Sequence, residues 1–529
     1  MEINPVAGWV RRQRLRVPGR VAVRTRDGAR LSYGELDARS DRLANALRGH
    51  GLRTGDAIAL WMDDQVANVE VYVAAAKAGF VIVPVNERLQ PPEAQFIIEE
   101  SDARAVLYSD TVAERLAACH GTGVLGDRLL LAADRERIGG ALLYDELVEA
   151  GRATPPGPER GSGPRGPDEP YLVAFSSGTT GFPKGAVLTP RSVGHITVMS
   201  ALARRLVYYG MGVVASSLSF PAAITADILT LLSTGSSILL MGKGWDIDEL
   251  LSVTERERAT FVNVLGPHIP DLAEAARRRP HALDTVLSVI HGGSKIPRNQ
   301  LAELHAAIGD RLGEVWGMVE HSGGPITTTA PQDYGPAGEA RDVFDSVGRT
   351  LPDCTVEVIG ADGHALPHDG AAVGELMVRS PALMKGYLRQ PEATSAVLTD
   401  GWYHTGDLGT IDQAGFVYVV DRRKDLIVSG GMNIYPSELE RVIQECPGVR
   451  EVAVVGMPHP RWGRTPVAVV VTARDGQLTA ESVLGFLAGR LASYKKPTRV
   501  LFVAELPRNV SGKIVKSLVE GIVEGSPPC

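Results

Sequence analysis

Residues Ser176–Pro190 read SSGTTGFPKGAVLTP, a turn that carries three glycines, two serines, three threonines and one lysine. It follows the apolar run Tyr171–Phe175. Glycines let backbone N–H groups approach an anion closely, while hydroxyls and a lysine add donors and charge. That combination suits a polyphosphate. It is not a Walker loop, because no Gly-Lys-Ser/Thr opens a helix. Three other segments could do chemistry. His291-Gly-Gly-Ser294 would lay backbone flat against a planar ligand, although an ordinary strand-to-helix turn has the same form. Trp316-Gly-Met-Val-Glu320 places an aromatic face and a lone carboxylate within five residues. The face could stack on a base, and the carboxylate could hold Mg²⁺ together with substrate phosphates. In Gly401-Trp-Tyr-His-Thr-Gly-Asp407 a carboxylate follows a Gly-tipped turn, and its two oxygens could accept two hydroxyls.

The run Ser176–Pro190 resembles the phosphate-binding signature of the adenylate-forming superfamily, which includes acyl-CoA synthetases, nonribosomal adenylation domains and luciferases. Five further segments match in the same order: His291–Ser294, Trp316–Glu320, Gly401–Leu408, Asp421–Pro436 and Pro507–Ile514. The resemblance implies an α/β fold, with a large N-terminal domain of doubly wound sheets, a small β-barrel-like subdomain and a small mobile α+β C-terminal domain. The domains would cover residues 1–423 and 424–529, with the hinge at Lys424. The implied cofactors are ATP, Mg²⁺ and CoA, or a phosphopantetheine thiol in its place.

Carried over residue by residue, Ser176, Ser177, Gly178, Thr179, Thr180, Gly181 and Lys184 would hold phosphates. Gly292, Gly293, Ser294, Trp316, Gly317, Met318, Val319 and Val419 would border the nucleotide. Asp407 would bind the ribose, Arg422 would lie near ribose and phosphate, and Glu320 would hold the metal. Lys513 would act in the adenylation step alongside Glu320, Thr180 and Lys184. Gly430 and Gly431 would border the thiol tunnel. One position departs from the pattern: Val319 stands where the family has a threonine that helps hold the α-phosphate. A lost hydrogen bond to a charged group costs roughly 1.5–3 kcal/mol. Either another donor compensates or the adenylate is held less tightly.

The implied reaction activates a carboxylic acid as acyl-AMP and then passes it to the thiol. Phe220, His268, His291, Met318, Gly323 and Gly324 would surround the acid. The run Ser219–Ala223 carries no carboxylate, so the ammonium of an α-amino acid would be buried unpaired. A flat aryl or arylacryl acid fits better, and a fatty acid stays open. Two alternatives keep the fold: a diazotase that activates nitrite for an aryl amine in secondary metabolism, and a ligase that loads a carrier protein. A binding-only protein is disfavoured, because Lys184, Glu320, Asp407, Arg422 and Lys513 are all present.

The elements that must position these residues alternate between helix and strand. Ser32 opens a helical stretch through Leu47, Ala57–Trp61 reads as a buried strand, Val69–Ala78 as a helix and Phe80–Val85 as the next strand. This rhythm predicts a parallel, doubly wound sheet. Residues 154–168 are nearly all Pro, Gly and charge and read as a connection between two layers of one unit. A second rhythm follows in Val213–Ser217, the helix-like Ala226–Leu232, Ser237–Met241, Phe261–Leu265 and Val286–His291. Val356–Ile359, Gly374–Arg379 and Phe416–Val420 read as a smaller β unit. Beyond Lys424, helices at Ser437–Ile443 and Leu484–Leu491 mix with strands at Val452–Val455, Val467–Val471 and Arg499–Val503.

The 529 residues, 44% of them hydrophobic, suffice for several domains or one large unit with an appendage. A net charge of −7 argues against a nucleic-acid surface. The four cysteines are far apart and form no CxxC, which points to a reducing compartment and no zinc site. Arginines crowd the N-terminus, but no apolar signal region follows. No run of residues is long and apolar enough to span a membrane. The expectation is a cytoplasmic monomer or homodimer.

Overall fold

The computed structural model describes residues 4–120, 125–156, 166–176, 183–264, 266–293, 296–334, 343–430, 432–473, 478–488, 490–509 and 512–526. Four sheets organise the chain. The first has eight strands in the order Gly386–Tyr387, Lys184–Leu188, Leu172–Ser176, Val81–Val85, Ala57–Trp61, Ala103–Tyr108, Leu129–Ala132 and Leu142–Leu143. Its six strands from Leu172–Ser176 onward run parallel, and the remaining two add antiparallel. Ala57–Trp61 and Val81–Val85 are buried at every position, as strands covered on both faces must be. The helix between Ser32 and His50 starts where expected: Ser32 and Glu35 form a reciprocal capping box.

The second sheet has nine strands, ordered Arg349–Thr350, Pro325–Thr328, Leu312–Gly317, Ser288–Gly292, Phe261–Asn263, Met211–Val214, Ser237–Leu240, Val21–Thr25 and Arg30–Ser32. One hydrophobic core joins the two large sheets, with Leu60, Ile82, Val214 and Ile238 all essentially inaccessible. The Pro- and Gly-rich segment that ends at residue 168 leads back into the first sheet at Leu172–Ser176, so the strands on either side of it share one sheet.

The third sheet is antiparallel and small, built from Thr355–Ile359, Gly374–Arg379, Trp402–Ile411, Leu398–Thr399 and Val417–Arg422. The fourth contains only strands that begin at Ile427 or later, and its two faces have cores of their own. The chain passes from the third sheet to the fourth through a single short turn, Arg423–Asp425, which holds Lys424.

Two helices differ from expectation. The helix-like stretch Ala226–Leu232 begins earlier, as a π-helical turn over Ala222–Ile228 that continues into Leu229–Ser233. Thr225 explains the widening: its Oγ1 donates to Pro221 O and Ser322 O, and its own carbonyl accepts from Thr230 Oγ1. The helix expected at Leu484–Leu491 lies instead at Ala480–Phe486. Thr479 caps it together with Ser482, and this polar start outranks the apolar spacing further on. The strand expected over Val213–Ser217 spans Met211–Val214, and the serines beyond it belong to a loop. Among the described residues, no helix is long and apolar enough to cross a membrane.

Candidate active site

Glu320 lies in the tight turn Val319–His321, after the strand Leu312–Gly317. The turn is fastened on both sides. Met384 N donates to Glu320 O (2.7 Å), Ser322 Oγ to Ala382 O (2.7 Å) and Thr225 Oγ1 to Ser322 O (2.6 Å). His321 is fully buried, with Nδ1 3.3 Å from Gly324 O and Nε2 2.9 Å from Ser380 Oγ. Burial pushes its pKa down to about 4, so the ring is neutral at pH 7. A neutral ring whose Nδ1–H donates to the Gly324 carbonyl leaves Nε2 to accept from Ser380. The Glu320 carboxylate takes one hydrogen bond on Oε1, from the Tyr387 hydroxyl at 2.9 Å. Among the described residues, no group of three or more His, Cys, Asp or Glu is arranged to hold a metal ion. A single half-buried carboxylate with a free oxygen fits Mg²⁺, which binds through one or two carboxylates plus substrate phosphate.

Lys184 opens the strand Lys184–Leu188, and its Nζ lies 5.2 Å from the centroid of the Tyr387 ring. Ser177, Gly178, Thr179, Thr180 and Gly181 lie outside the described residues, as do Ser294 and Gly431, and the side chain of Ser176 is not described.

Asp407 does not follow a turn. It lies inside the ten-residue strand Trp402–Ile411, where Thr405, Gly406 and Asp407 bulge opposite Leu376. Gly406 supplies the left-handed φ of 69° that the bulge requires. The bulge turns the carboxylate inward, and Asp407 is only 2% exposed. Oδ2 accepts from Trp316 Nε1 at 3.1 Å, and Oδ1 faces Arg422 Nε at 2.6 Å. Arg422 is the register partner of Asp407 on Val417–Arg422. Burial raises the Asp407 pKa, while Arg422, Trp316 and Lys513 pull it back down.

Lys513 comes to the same place from the far end of the chain. Its backbone closes a turn with Asn509: Asn509 N donates to Lys513 O and Lys513 N to Asn509 Oδ1, both at 2.9 Å. Lys513 is an exposed residue. Desolvation and Arg422 lower its pKa, and Asp407 and Glu320 act in the opposite direction. Glu320, Asp407, Arg422 and Lys513 therefore share one electrostatic site, with Trp316 and Tyr387 bonded to its carboxylates.

The residues expected around the acid divide. Phe220 leads into the π-helical turn, and Gly323 touches the same segment: a Cβ there would sit 2.7 Å from Pro221 C and 2.8 Å from Ala222 N. Gly323 N also donates to Met318 O. Gly324 faces away, with Ile196 Cγ1 2.1 Å from where its Cβ would be. His268 packs on Trp245, ring centroids 4.7 Å apart, and burial lowers its pKa. His291 is fully buried on Ser288–Gly292. Gly292 of that strand lies against Val315, and Gly293 takes a φ of 86°. Gly317 backs onto Gly324 O, while Val319 and Val419 are half-buried against apolar cores. Gly430 also has a positive φ, 57°, and Trp462 Cε3 would lie 2.9 Å from a Cβ there.

Residues 10–388 match the family model for the AMP-binding enzyme, and residues 438–513 match that for the AMP-binding enzyme C-terminal domain. This chain belongs to the AMP-binding enzymes. Among them, feruloyl-CoA synthase from Amycolatopsis sp is 36% identical over 523 residues, which cover 98% of this chain and 99% of the relative. Indoleacetate–CoA ligase from Aromatoleum aromaticum is 32% identical, covering 97% of each chain. The crystal structure of ATP-bound MatB from Rhodopseudomonas palustris superposes with a TM-score of 0.86 at 28% identity, over 98% of this chain and 99% of MatB. The AMP-binding family is the one that the six sequence segments resemble, and the large mixed-sheet unit with a smaller C-terminal unit is its architecture.

Sequence reasoning missed two features of this AMP-binding enzyme. One is Tyr387, which touches both Glu320 and Lys184. The other is a carboxylate network behind Phe220. Asp64 follows Ala57–Trp61, and its Oδ1 accepts from Leu218 N at 2.8 Å. Ser217 Oγ lies 3.4 Å from both Asp64 Oδ1 and Glu87 Oε2, and Asn86 Nδ2 donates to Ser219 Oγ at 2.8 Å. The strand ends of the first sheet thereby hold the loop that carries Phe220. Burial, Glu87 and Asp63 push the Asp64 pKa up to about 7, against the Leu218 and Ser217 hydrogen bonds. A carboxyl raised in the fold is protonated in both folded and unfolded states below about pH 4. Its ionisation costs stability between about pH 4 and 7, and the full penalty applies above that range. Asp64→Asn keeps an acceptor for Leu218 N–H and removes the penalty. The variant should be more stable than wild type at pH 8, by up to about 4 kcal/mol, with the difference shrinking to about 1 kcal/mol near pH 4.5. Thermal melts across that range test this, and parallel wild-type and variant curves would refute it.

Proposed function

We propose that this chain is an AMP-forming acid–thiol ligase that adenylates an aryl or arylacryl acid and transfers the acyl group to CoA. The observation that carries this reading is Lys513, brought by a turn of the C-terminal unit to Glu320, Asp407 and Arg422 of the N-terminal one. In the first half-reaction, a carboxylate oxygen of the acid attacks the α-phosphorus of ATP and pyrophosphate leaves. Both reactants are anionic, so catalysis rests on positioning and charge neutralisation. Lys513 supplies a cation at the reacting oxygens. Asp407 holds the ribose hydroxyls, and Trp316 and Arg422 fix its carboxylate in place. Lys184 faces the departing phosphates. Mg²⁺, held by Glu320, would neutralise phosphate charge. In the second half-reaction, a thiolate attacks the acyl carbon and AMP leaves. The short turn at Lys424 carries the chain from the third sheet to the fourth, which suits it as the hinge that withdraws Lys513 between the two steps.

Three observations favour a flat acid. Phe220 lies beside the Gly323 contact, the run Ser219–Ala223 offers no partner for an ammonium, and relatives include feruloyl-CoA synthase and indoleacetate–CoA ligase. The test is pyrophosphate release from Mg·ATP with benzoates, aminobenzoates, cinnamates and fatty acids, with and without CoA, with mass spectra of the products. Cinnamoyl- or benzoyl-type CoA thioesters are expected. Release that requires nitrite and an aryl amine, with no thioester formed, would overturn the reading.

A further inference from the structure

Tyr387 lies on the two-residue strand Gly386–Tyr387, which pairs antiparallel with Lys184–Leu188 so that Tyr387 faces Ala186. Two more bonds lock this pairing: Lys385 N donates to Val187 O at 2.8 Å, and Leu388 N to Gly185 O at 2.7 Å. Thr394 Oγ1 accepts from Tyr387 N at 2.8 Å. The ring is therefore held beneath the Lys184 ammonium by backbone, and its hydroxyl points at Glu320 Oε1. Behind it stands Tyr403, 5% exposed, whose pKa is raised by burial and by the neighbouring Glu320 and Tyr387. The direction of the bond follows from chemistry. A carboxylate offers only acceptors, so the Tyr387 hydroxyl donates to Glu320 Oε1.

Resting on the ligase reading above, we propose that Tyr387, backed by Tyr403, is a positioning residue. It aims the Glu320 carboxylate at the metal of the metal–nucleotide complex and fixes the spacing between that carboxylate and Lys184. A carboxylate on a 3₁₀ turn can rotate about its side-chain bonds. One donor on Oε1 removes that freedom and leaves Oε2 to the cation. Hydrogen-bond partners that orient a metal ligand typically change metal affinity by about 10–100-fold when removed. The Lys184 ammonium over the ring face adds a cation–π contact, so the same side chain holds the cationic and anionic parts of the phosphate site at once.

The test uses the full-length protein and Mn²⁺ as a spectroscopic probe. Binding of Mn²⁺ in the presence of ATP is followed by electron paramagnetic resonance, without any acid. Tyr387→Phe, which keeps the ring and loses only the hydroxyl, should weaken Mn²⁺ binding in the ATP complex by about tenfold or more. Its melting profile and its affinity for ATP in EDTA should stay at wild-type values, and Tyr403→Phe should shift Mn²⁺ binding in the same direction by less. Thioester formation from a synthetic acyl-adenylate and CoA should be unchanged in both variants. Mn²⁺ binding equal to wild type, or a loss confined to stability, would overturn the proposal and leave the ligase reading intact. A wild-type protein that binds no Mn·ATP would overturn both. If Tyr387→Phe weakens Mn²⁺ as expected but no acid yields a thioester, the positioning role stands and the ligase reading falls.

Discussion

Lys513→Ala should slow acid-dependent pyrophosphate release by about 10²–10³ and leave thioester formation from a synthetic acyl-adenylate near the wild-type rate. The side chain is the only part lost. The turn that presents it is held by main-chain and Asn509 hydrogen bonds and by Gly512 at a φ of 81°, and a substitution at position 513 touches none of these. Lys513 feels Asp407, Glu320 and Arg422 electrostatically, and its partial desolvation strengthens its pull on any anion that enters. Lys513→Arg keeps the charge with a different shape and should recover part of the rate. The lowered lysine pKa also sets a sign: the alkaline loss of adenylation begins below the pH at which a free lysine titrates, and Lys513→Arg removes that limb. Separate assays of the two half-reactions check the claim, and an equal loss in both would assign Lys513 a structural role.

Asp407→Ala should be costly in a second way, by stability and nucleotide affinity together. Asp407 is buried, and its two oxygens satisfy the Trp316 indole N–H and the Arg422 guanidinium. Removal of one partner of a buried pair costs roughly 3–5 kcal/mol, and the low end applies here because Arg422 is half exposed and can regain water. Asp407→Asn keeps an acceptor for the indole and loses only the charge. It should therefore melt between the alanine variant and the wild type, while both variants bind ATP more weakly. Melting curves and ATP titrations of the two variants separate these effects. If the alanine variant keeps wild-type ATP affinity, Asp407 is a structural residue and the ribose assignment fails.

Much of the frame was legible in the sequence because local signals agreed with the tertiary ones. The unbroken apolar run Ala57–Trp61 became a strand buried at all five positions, and Gly374–Arg379 and Arg499–Val503 took the bounds expected of them. Asp407 was legible as a residue but not in its setting. A bulge is a relation between two strands, and nothing within Gly401–Asp407 reveals that three of its residues oppose one on Gly374–Arg379. Tyr387 was illegible for a similar reason. It lies on a strand of two residues, too short for any period, and its partners are 67 and 203 positions away. The π-helical turn at Ala222–Ile228 depends on a hydrogen bond from Thr225 to Ser322 across 97 positions, which no local pattern encodes.

The pairing of Gly386–Tyr387 with Lys184–Leu188 also bears on how the molecule is made. About two hundred residues separate the two strands, so Lys184–Leu188 leaves the ribosome long before its outer neighbour exists. Until then it is the bare edge of an otherwise completed sheet, with the backbone groups of Gly185 and Val187 unpaired. Such edges template pairing with other chains. A nascent chain shorter than about 388 residues is thus the aggregation-prone form, and a fragment cut before Gly386 inherits the defect permanently. The last strand of the first sheet brings Tyr387 to Glu320 and, in the same step, removes the edge.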